Sequence, residues 1–228
     1  MTPATAQKKM SAYLKGGGAR MTAVDGKHIY NGTLPSASEI LRVFSFGEFP
    51  NMEKMEEAAF IGTAVHETIA SILNQEEGLI IDDMMMSDVR FSNCIKAFQE
   101  WQRSGYPVEP VVIEKAFAST KYGFGGTIDF VGLEGDEGEI VLKDWKTGQT
   151  RYKDFVQLEL YAMLLKECTG LVAKDLCLVY LNKETGEYKE RRCPDRQKLR
   201  TFTKRVLKFW KETEEFKKLV DGRRRIEI

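Results

Sequence analysis

A chain of 228 residues that is 43% hydrophobic and 30% charged is long enough for one sizeable domain and has an ordinary composition for a soluble globular protein. Thirty-four basic residues balance thirty-four acidic ones, so no global positive field marks a polyanionic partner; that is a weak argument against one, since acidic metal ligands can offset a basic groove. No run reaches the roughly 18 apolar residues of a membrane span, the N-terminus lacks an apolar signal-peptide core, and Cys94, Cys168, Cys177 and Cys193 form no C-x-x-C pair, so a membrane protein, a zinc knuckle and a disulfide framework are excluded and reduced thiols in a cytoplasmic protein are expected.

Residues 1–33 read as a flexible lead-in with a small hairpin, poorly ordered over 1–20 and turning at Asp25-Gly26. Residues 34–228 read as a single domain. In Leu34-Pro35-Ser36-Ala37-Ser38-Glu39-Ile40-Leu41, Ser36 or Ser38 can cap a helix through Ile40, Leu41 and Phe44. Phe60, Ile61, Ala64, Val65, Ile69, Ile72 and Leu73 recur at three- and four-residue spacing, which predicts a helix over 53–74 with all of them on one buried stripe. A second helical stretch over about 84–103 ends at Gly105-Tyr106-Pro107, and residues 76–106 read as a helical insertion.

From Val108 the pattern becomes that of strands. Val111–Ala118, Tyr122–Leu133 and Ile140–Thr147 predict an antiparallel meander, with a tight turn at residues 134–138. An amphipathic helix over 153–168 follows, then strands at Leu176–Leu181 and Glu187–Arg192. The final helix, about 195–219, carries Leu199, Phe202, Val206, Phe209, Trp210 and Phe216 on its apolar side and leads to the basic tail Gly222-Arg223-Arg224-Arg225. This order predicts an α/β fold: a mixed β-sheet flanked by helices, with a helical N-terminal part.

Asp144-Trp145-Lys146 is the triplet that carries chemistry. On a strand, residues i and i+2 share a face, so a carboxylate and an ammonium project side by side and can serve a hard cation and a phosphate. Acid-x-Lys also occurs at Asp25, Glu187 and Glu215, and alternating charge on an exposed strand is common. The strand carrying Asp144 is otherwise apolar (Ile140, Val141, Leu142), and so is the strand carrying Asp129 within Gly126-Thr127-Ile128-Asp129-Phe130-Val131. A hairpin between them would bring two acids together, and adjacent carboxylates repel unless a cation or proton lies between them. Mg²⁺ suits such oxygen ligands. Glu114 is either a third carboxylate or the partner of Lys115 or Lys121. His66 is a lone helical histidine, in the core, at the surface or in the site. Gln157 and Tyr161 share a helix face, as a polar rim and core aromatic or as part of the site.

Together Gly62-Thr63-Ala64-Val65-His66, Glu114, Gly125-Gly126-Thr127-Ile128-Asp129, Asp144-Trp145-Lys146-Thr147-Gly148 and Gln157-Leu158-Glu159-Leu160-Tyr161 resemble the RecB-type branch of the PD-(D/E)xK nuclease superfamily. The Leu34–Leu41 segment is similar to the opening of its phage and mitochondrial single-strand exonucleases. The resemblance implies a restriction-endonuclease-like core. It also implies that His66, Asp129, Asp144 and the Trp145 carbonyl bind one or two Mg²⁺ or Mn²⁺ ions and that Lys146 positions the attacking water and stabilises the transition state. Gln157 and Tyr161 would orient the lysine or contact the DNA backbone, and Glu114 would match the acid of the first core strand. Ile128 stands where the superfamily name has Pro. Some relatives hold an iron–sulfur cluster, but eight and fifteen residues separate the last three cysteines, so none is expected. The implied activity is that of a metal-dependent DNA exonuclease preferring single strands. An endonuclease of the same fold acting in repair or recombination, or an inactive DNA-binding module, stays open. Implied partners are DNA and replication or recombination proteins, with residues 76–106 as a lid and Trp101 or Tyr106 stacking bases or lying in the core.

Overall fold

Chain order gives α1 (Pro3–Lys15), three short strands β1 (Thr22–Val24), β2 (Lys27–Ile29) and β3 (Thr33–Leu34), then α2 (Ala37–Ile40) with a 3₁₀ turn at Leu41–Phe44. Helices α3 (Met52–Leu73) and α4 (Val89–Ser104) precede the meander β4 (Glu109–Ser119), β5 (Phe124–Glu134) and β6 (Glu139–Lys146). Helix α5 (Tyr152–Thr169), strands β7 (Asp175–Leu181) and β8 (Tyr188–Arg192), and helix α6 (Arg196–Arg224) complete the chain. The computed structural model describes residues 2–15, 22–24, 27–29, 33–44, 52–75, 85, 87–104, 108–149 and 151–224. Asp25, Gly26, Tyr106 and Arg225 lie outside them.

The main sheet runs β4-β5-β6-β7-β8 and is mixed as expected: β4, β5 and β6 form the antiparallel meander, β6 and β7 are parallel across the α5 crossover, and β8 closes antiparallel. The tight turn between β5 and β6 uses Gly135 and Gly138 at positive φ, +69° and +61°, where a side chain would be strained. Two cores cover the two faces. Ala37, Ile40, Ile128, Leu142, Leu158, Leu164 and Val206 fill one, between the sheet and α2, α5 and α6. Ile61, Val65, Ile69, Phe91, Phe98, Trp101 and Trp145 fill the other, beneath α3 and α4.

Ser36 caps α2 in a reciprocal box, its hydroxyl accepting from Glu39 N–H at 3.1 Å while the Glu39 carboxylate accepts from Ser36 N–H at 2.7 Å. This cap docks on the sheet, where Gly125 N–H donates to Pro35 O at 3.0 Å. On the far side of α5, the fully buried Glu159 accepts from Arg196 Nε at 3.1 Å and Arg200 Nε at 2.9 Å, tying α6 to α5.

Several expectations change. The lead-in contains α1, whose Ala6 and Met10, one turn apart, are buried against the first core. Helix α4 packs Phe91, Cys94, Ala97, Phe98 and Trp101 on the sheet and so is a layer of the core rather than a lid over 89–104. Trp101 takes the core alternative offered for it, buried and donating from Nε1 to Glu190 at 2.7 Å. Phe60 is 58% exposed because the first turns of α3 overhang the core, which begins at Ile61. On α6 the buried stripe is Thr203, Val206 and Leu207 with Leu199 and Trp210 at its edge, leaving Phe202, Phe209 and Phe216 exposed on the next face. No helix among the described residues is long and apolar enough to cross a membrane.

Candidate metal centre

Two irregularities in the meander build the site. Side chains should alternate faces along a strand. Yet Ile128 faces the first core, Phe130 the second and Val131 the first again, so the alternation slips by one residue at Asp129. Opposite it, β4 slips likewise between Val112 and Phe117, and Glu114 takes φ +39°, a conformation that costs an L-residue about 1–2 kcal/mol. The second irregularity is a fork. Strands β5 and β6 stay paired only as far as Phe130 and Lys143, after which β6 continues along β7 to Lys146 and β5 along β4. Across this fork the Asp129 carboxylate accepts from Trp145 N–H at 3.0 Å, satisfying a backbone donor that has no strand partner on that side.

Helix α3 approaches the fork from the second face. A methyl at Gly62 would meet Thr147 Oγ1 at 3.6 Å, so the helix lies directly over the end of β6. Val65 and Ile69 anchor it in the core, and His66 between them reaches the fork. The His66 Nε2–H donates to Trp145 O at 3.1 Å, and Nδ1 lies 3.4 Å from both Glu114 Oε1 and Asp129 Oδ2. His66, Glu114 and Asp129 each offer a ligand atom within 4.8 Å of the others, a cluster that could hold a divalent metal. Glu114 therefore joins His66 and Asp129 rather than pairing with Lys115 or Lys121.

Asp144 and Lys146 enter from the α5 face, with Lys146 Nζ 2.6 Å from Asp144 Oδ2. The Lys146 ammonium also donates to Gln157 Oε1 at 3.2 Å, and Gln157 Nε2 donates to the Tyr161 hydroxyl at 2.8 Å. The two α5 residues thus hold the lysine head group in place through one relay. Gly126 makes room for it: a Cβ there would lie 2.5 Å from Tyr161 Cε1.

Crowding of carboxylates sets the protonation. Burial alone lowers the His66 pKa, but Asp129, Glu114 and Asp144 outweigh it and raise the imidazole to about 9. Burial pushes the Asp129 and Asp144 carboxyls up, against the pull of His66 and Lys146. Burial disfavours the Lys146 ammonium, yet Asp144 and Asp129 more than compensate and keep it a cation. Two buried oxygens have a single charged neighbour each: Glu114 Oε1 only His66 Nδ1 at 3.4 Å and Asp144 Oδ2 only the Lys146 ammonium at 2.6 Å. Leaving charged acceptors in that state is costly, and a cation of suitable size relieves it. The donor set of three carboxylates, an imidazole and a main-chain carbonyl fits a hard or borderline divalent ion.

Every residue singled out in the sequence reaches this fork: His66, Glu114, Asp129, Asp144, Trp145, Lys146, Gln157 and Tyr161. Gly126 as the seat of Tyr161 was not singled out, although paired glycines inside a strand signal close approach of another group. The cysteines lie away from it and apart. Cys94 and Cys177 are buried in the second core, where burial pushes their thiols up to about 11 and about 12, while Cys168 and Cys193 edge the first.

The family model described as the PD-(D/E)XK nuclease superfamily matches residues 40–224, a span that includes every residue of the fork. No curated protein matches the sequence. Among solved structures, the chain is similar to an alkaline exonuclease (LHK-Exo) from Laribacter hongkongensis, with 16% identity over 84% of this chain and 93% of that one and a TM-score of 0.42. It is also similar to LHK-Exo in complex with dAMP, with 16% identity over 83% and 94% of the two chains and a TM-score of 0.37.

Proposed function

This chain belongs to the PD-(D/E)XK nuclease superfamily, and from that premise we propose that it is a Mg²⁺- or Mn²⁺-dependent deoxyribonuclease of the RecB-type branch, an exonuclease preferring single-stranded DNA. The observation that carries the reading is the convergence of His66, Glu114 and Asp129 at the fork, with the Asp144–Lys146 pair on the adjoining strand. His66, Asp129, Asp144 and the Trp145 carbonyl would hold one or two ions, with Glu114 as a further carboxylate. A divalent ion bound there supplies Lewis acidity toward a phosphate oxygen and lowers the pKa of a coordinated water.

The protein's own groups do the rest. Lys146, kept cationic by Asp144 and Asp129, stabilises negative charge developing on the phosphate and positions the attacking water. Gln157 and Tyr161 fix its head group before substrate arrives, so little reorganisation remains for the transition state. The preference for single strands rests on the Leu34–Leu41 segment, which abuts Gly125 on the strand that carries Asp129. A cytoplasmic setting beside replication or recombination proteins belongs to the same proposal.

A time course with end-labelled and circular DNA, single- and double-stranded, in Mg²⁺, Mn²⁺ or EDTA tests it. The expected result is metal-dependent release of short products from ends of single strands. Cutting of circles would replace exonuclease with endonuclease, and no cleavage in either metal would leave only a DNA-binding fold.

Two smaller outcomes follow from the geometry. Gly126→Ala forces the Tyr161 ring aside and loosens the Gln157–Lys146 relay, and cleavage should fall about 10- to 100-fold. An unchanged rate would mean the relay is dispensable. The second concerns pH. An imidazole raised from 6.5 to about 9 on folding contributes stability that is present below pH 6.5 and lost as pH rises through about 9. In EDTA the melting temperature should therefore fall across this interval. Saturating Mn²⁺ should blunt the fall, because the ion takes the neutral imidazole. His66→Gln should flatten the EDTA curve; if it leaves the slope intact, His66 is not the group responsible.

A further inference from the structure

Where the 3₁₀ turn after α2 meets α5 and α6, three aromatic rings form a ladder. The Phe44 ring stands edge-on to Tyr152 with centroids 5.5 Å apart and is stacked at 6.1 Å on Phe202. A core would hide such rings, yet Tyr152 is 67% exposed and Phe202 43%. Large apolar rings presented together to water mark a recognition surface more often than single exposed residues do.

Cations flank these rings in the chain: Arg42 before Phe44, Lys153 after Tyr152 and Arg205 after Phe202. Arg42, Lys153 and Arg205 make no ion pair among the described residues. A groove of about 500 Å³ runs along Phe202, and its one carboxylate, Asp195, is held by Lys198 at 3.0 Å, which leaves Arg205 as its unneutralised charge. The ladder and the fork share helix α5. Tyr152 opens α5, the helix whose Gln157 holds the Lys146 ammonium. Lys153 lies one turn before Gln157 on the same helix face and next to Tyr152 in the chain.

Exposed rings with unpaired cations beside them fit an unpaired nucleic-acid strand, whose bases have π-faces to stack and whose phosphates need neutralising. We propose that Tyr152 and Phe202, on the platform of Phe44, stack bases of a single strand whose phosphates run past Lys153 and Arg205 into the fork. This deepens the nuclease reading and rests on it. It places the single-strand contacts on the α5–α6 side of the sheet, opposite the helices that bury Trp101.

The test separates the two claims. Anisotropy of a labelled 15-nucleotide oligothymidylate in EDTA should show Tyr152→Ala/Phe202→Ala binding at least tenfold more weakly than the unmodified chain, with blunt duplex binding changed less than twofold. Tyr152→Phe/Phe202→Tyr should bind as the unmodified chain does. Arg205→Ala should reduce the salt slope by about 0.7. Photolysis with 5-iodouridine in the strand should crosslink Tyr152 or Phe202. In Mn²⁺ the double alanine variant should raise KM and keep kcat, since neither ring touches the reacting atoms. If that variant binds the oligonucleotide within twofold, if crosslinks fall elsewhere, or if the unmodified chain binds no single strand, the aromatic track is wrong even where cleavage occurs. If binding and crosslinks appear as expected without cleavage in either metal, the track stands and the catalytic reading fails.

Discussion

Asp144→Asn is expected to remove cleavage, by about 10³-fold or more, while leaving the chain folded. The carboxylate sits on β6 facing α5, 2.6 Å from the Lys146 ammonium and with its Oδ2 otherwise accepting nothing. Burial already pushes its proton affinity up, so a neutral amide of the same shape removes a disfavoured charge. It also weakens the pair with the Lys146 ammonium, which keeps Gln157, Asp129 and an amide oxygen, so the cost should be about 1–2 kcal/mol. What it cannot supply is the charge that pairs with the lysine and, in the proposed role, would hold the ion. The variant should therefore melt within a few degrees of the unmodified protein in EDTA and gain less from Mn²⁺. Single-turnover cleavage at saturating DNA together with melting curves in both conditions checks this. A variant that keeps a tenth of the rate, or that unfolds, would remove Asp144 from the centre of the site.

The second large effect belongs to stability and concerns the other buried lysine of the same strand. Lys143 is 1% exposed and lies on the face opposite Lys146. Its ammonium meets Glu134 at 2.8 Å and Glu190 at 2.9 Å and sits 5.3 Å over the Trp101 ring. Burial opposes its charge, and the two carboxylates raise its pKa nonetheless. Lys143→Met keeps the stem but leaves the two carboxylates to share Arg192, with the Trp101 Nε1–H as the other remaining donor to Glu190. Breaking a buried pair costs 3–5 kcal/mol; partial exposure of Glu190 and the retained arginine reduce this to about 2–4 kcal/mol. For a domain of this size the melting temperature should drop by about 5–15 °C. Cleavage per folded molecule should not change, because the charged groups of this network lie on the sheet face opposite Asp144 and Lys146 and pair with none of the site's charged groups. A fall in kcat at a temperature where the variant is fully folded would show that the two faces of β6 communicate.

Three residues apart, two lysines thus have unlike duties, and composition alone would not have separated them. The D-x-K spacing identified Lys146 because a carboxylate two residues earlier shares its face, whereas Lys143 stands alone in an apolar run and finds its partners on β5 and β8 only through tertiary pairing. The meander, the α5 crossover and the mixed sheet were legible for a related reason: alternating and continuous apolar runs report local periodicity. The slip at Glu114 and Asp129 was not, since it depends on a backbone angle in one strand and on the neighbour it must accommodate. That slip is what turns Glu114 toward His66, and it explains why sequence left Glu114 between two roles. Helix α1 stayed hidden because Ala6 and Met10 are a thin apolar signal among lysines and threonines. On α6, phenylalanines at seven-residue spacing outweighed the smaller Thr203 and Leu207 that the core in fact takes.

The opposed lysines of β6 also set how evolution or a protein engineer can alter this chain's length. One residue inserted or deleted between Val141 and Lys146 inverts everything beyond it, offering the Trp145 indole to the fork and the Lys146 cation to the greasy layer under α4. Indels in that stretch are therefore forbidden, whereas the Gly135–Gly138 turn just before it, solvated and glycine-hinged, can absorb added loop as long as the pairing that follows resumes in phase.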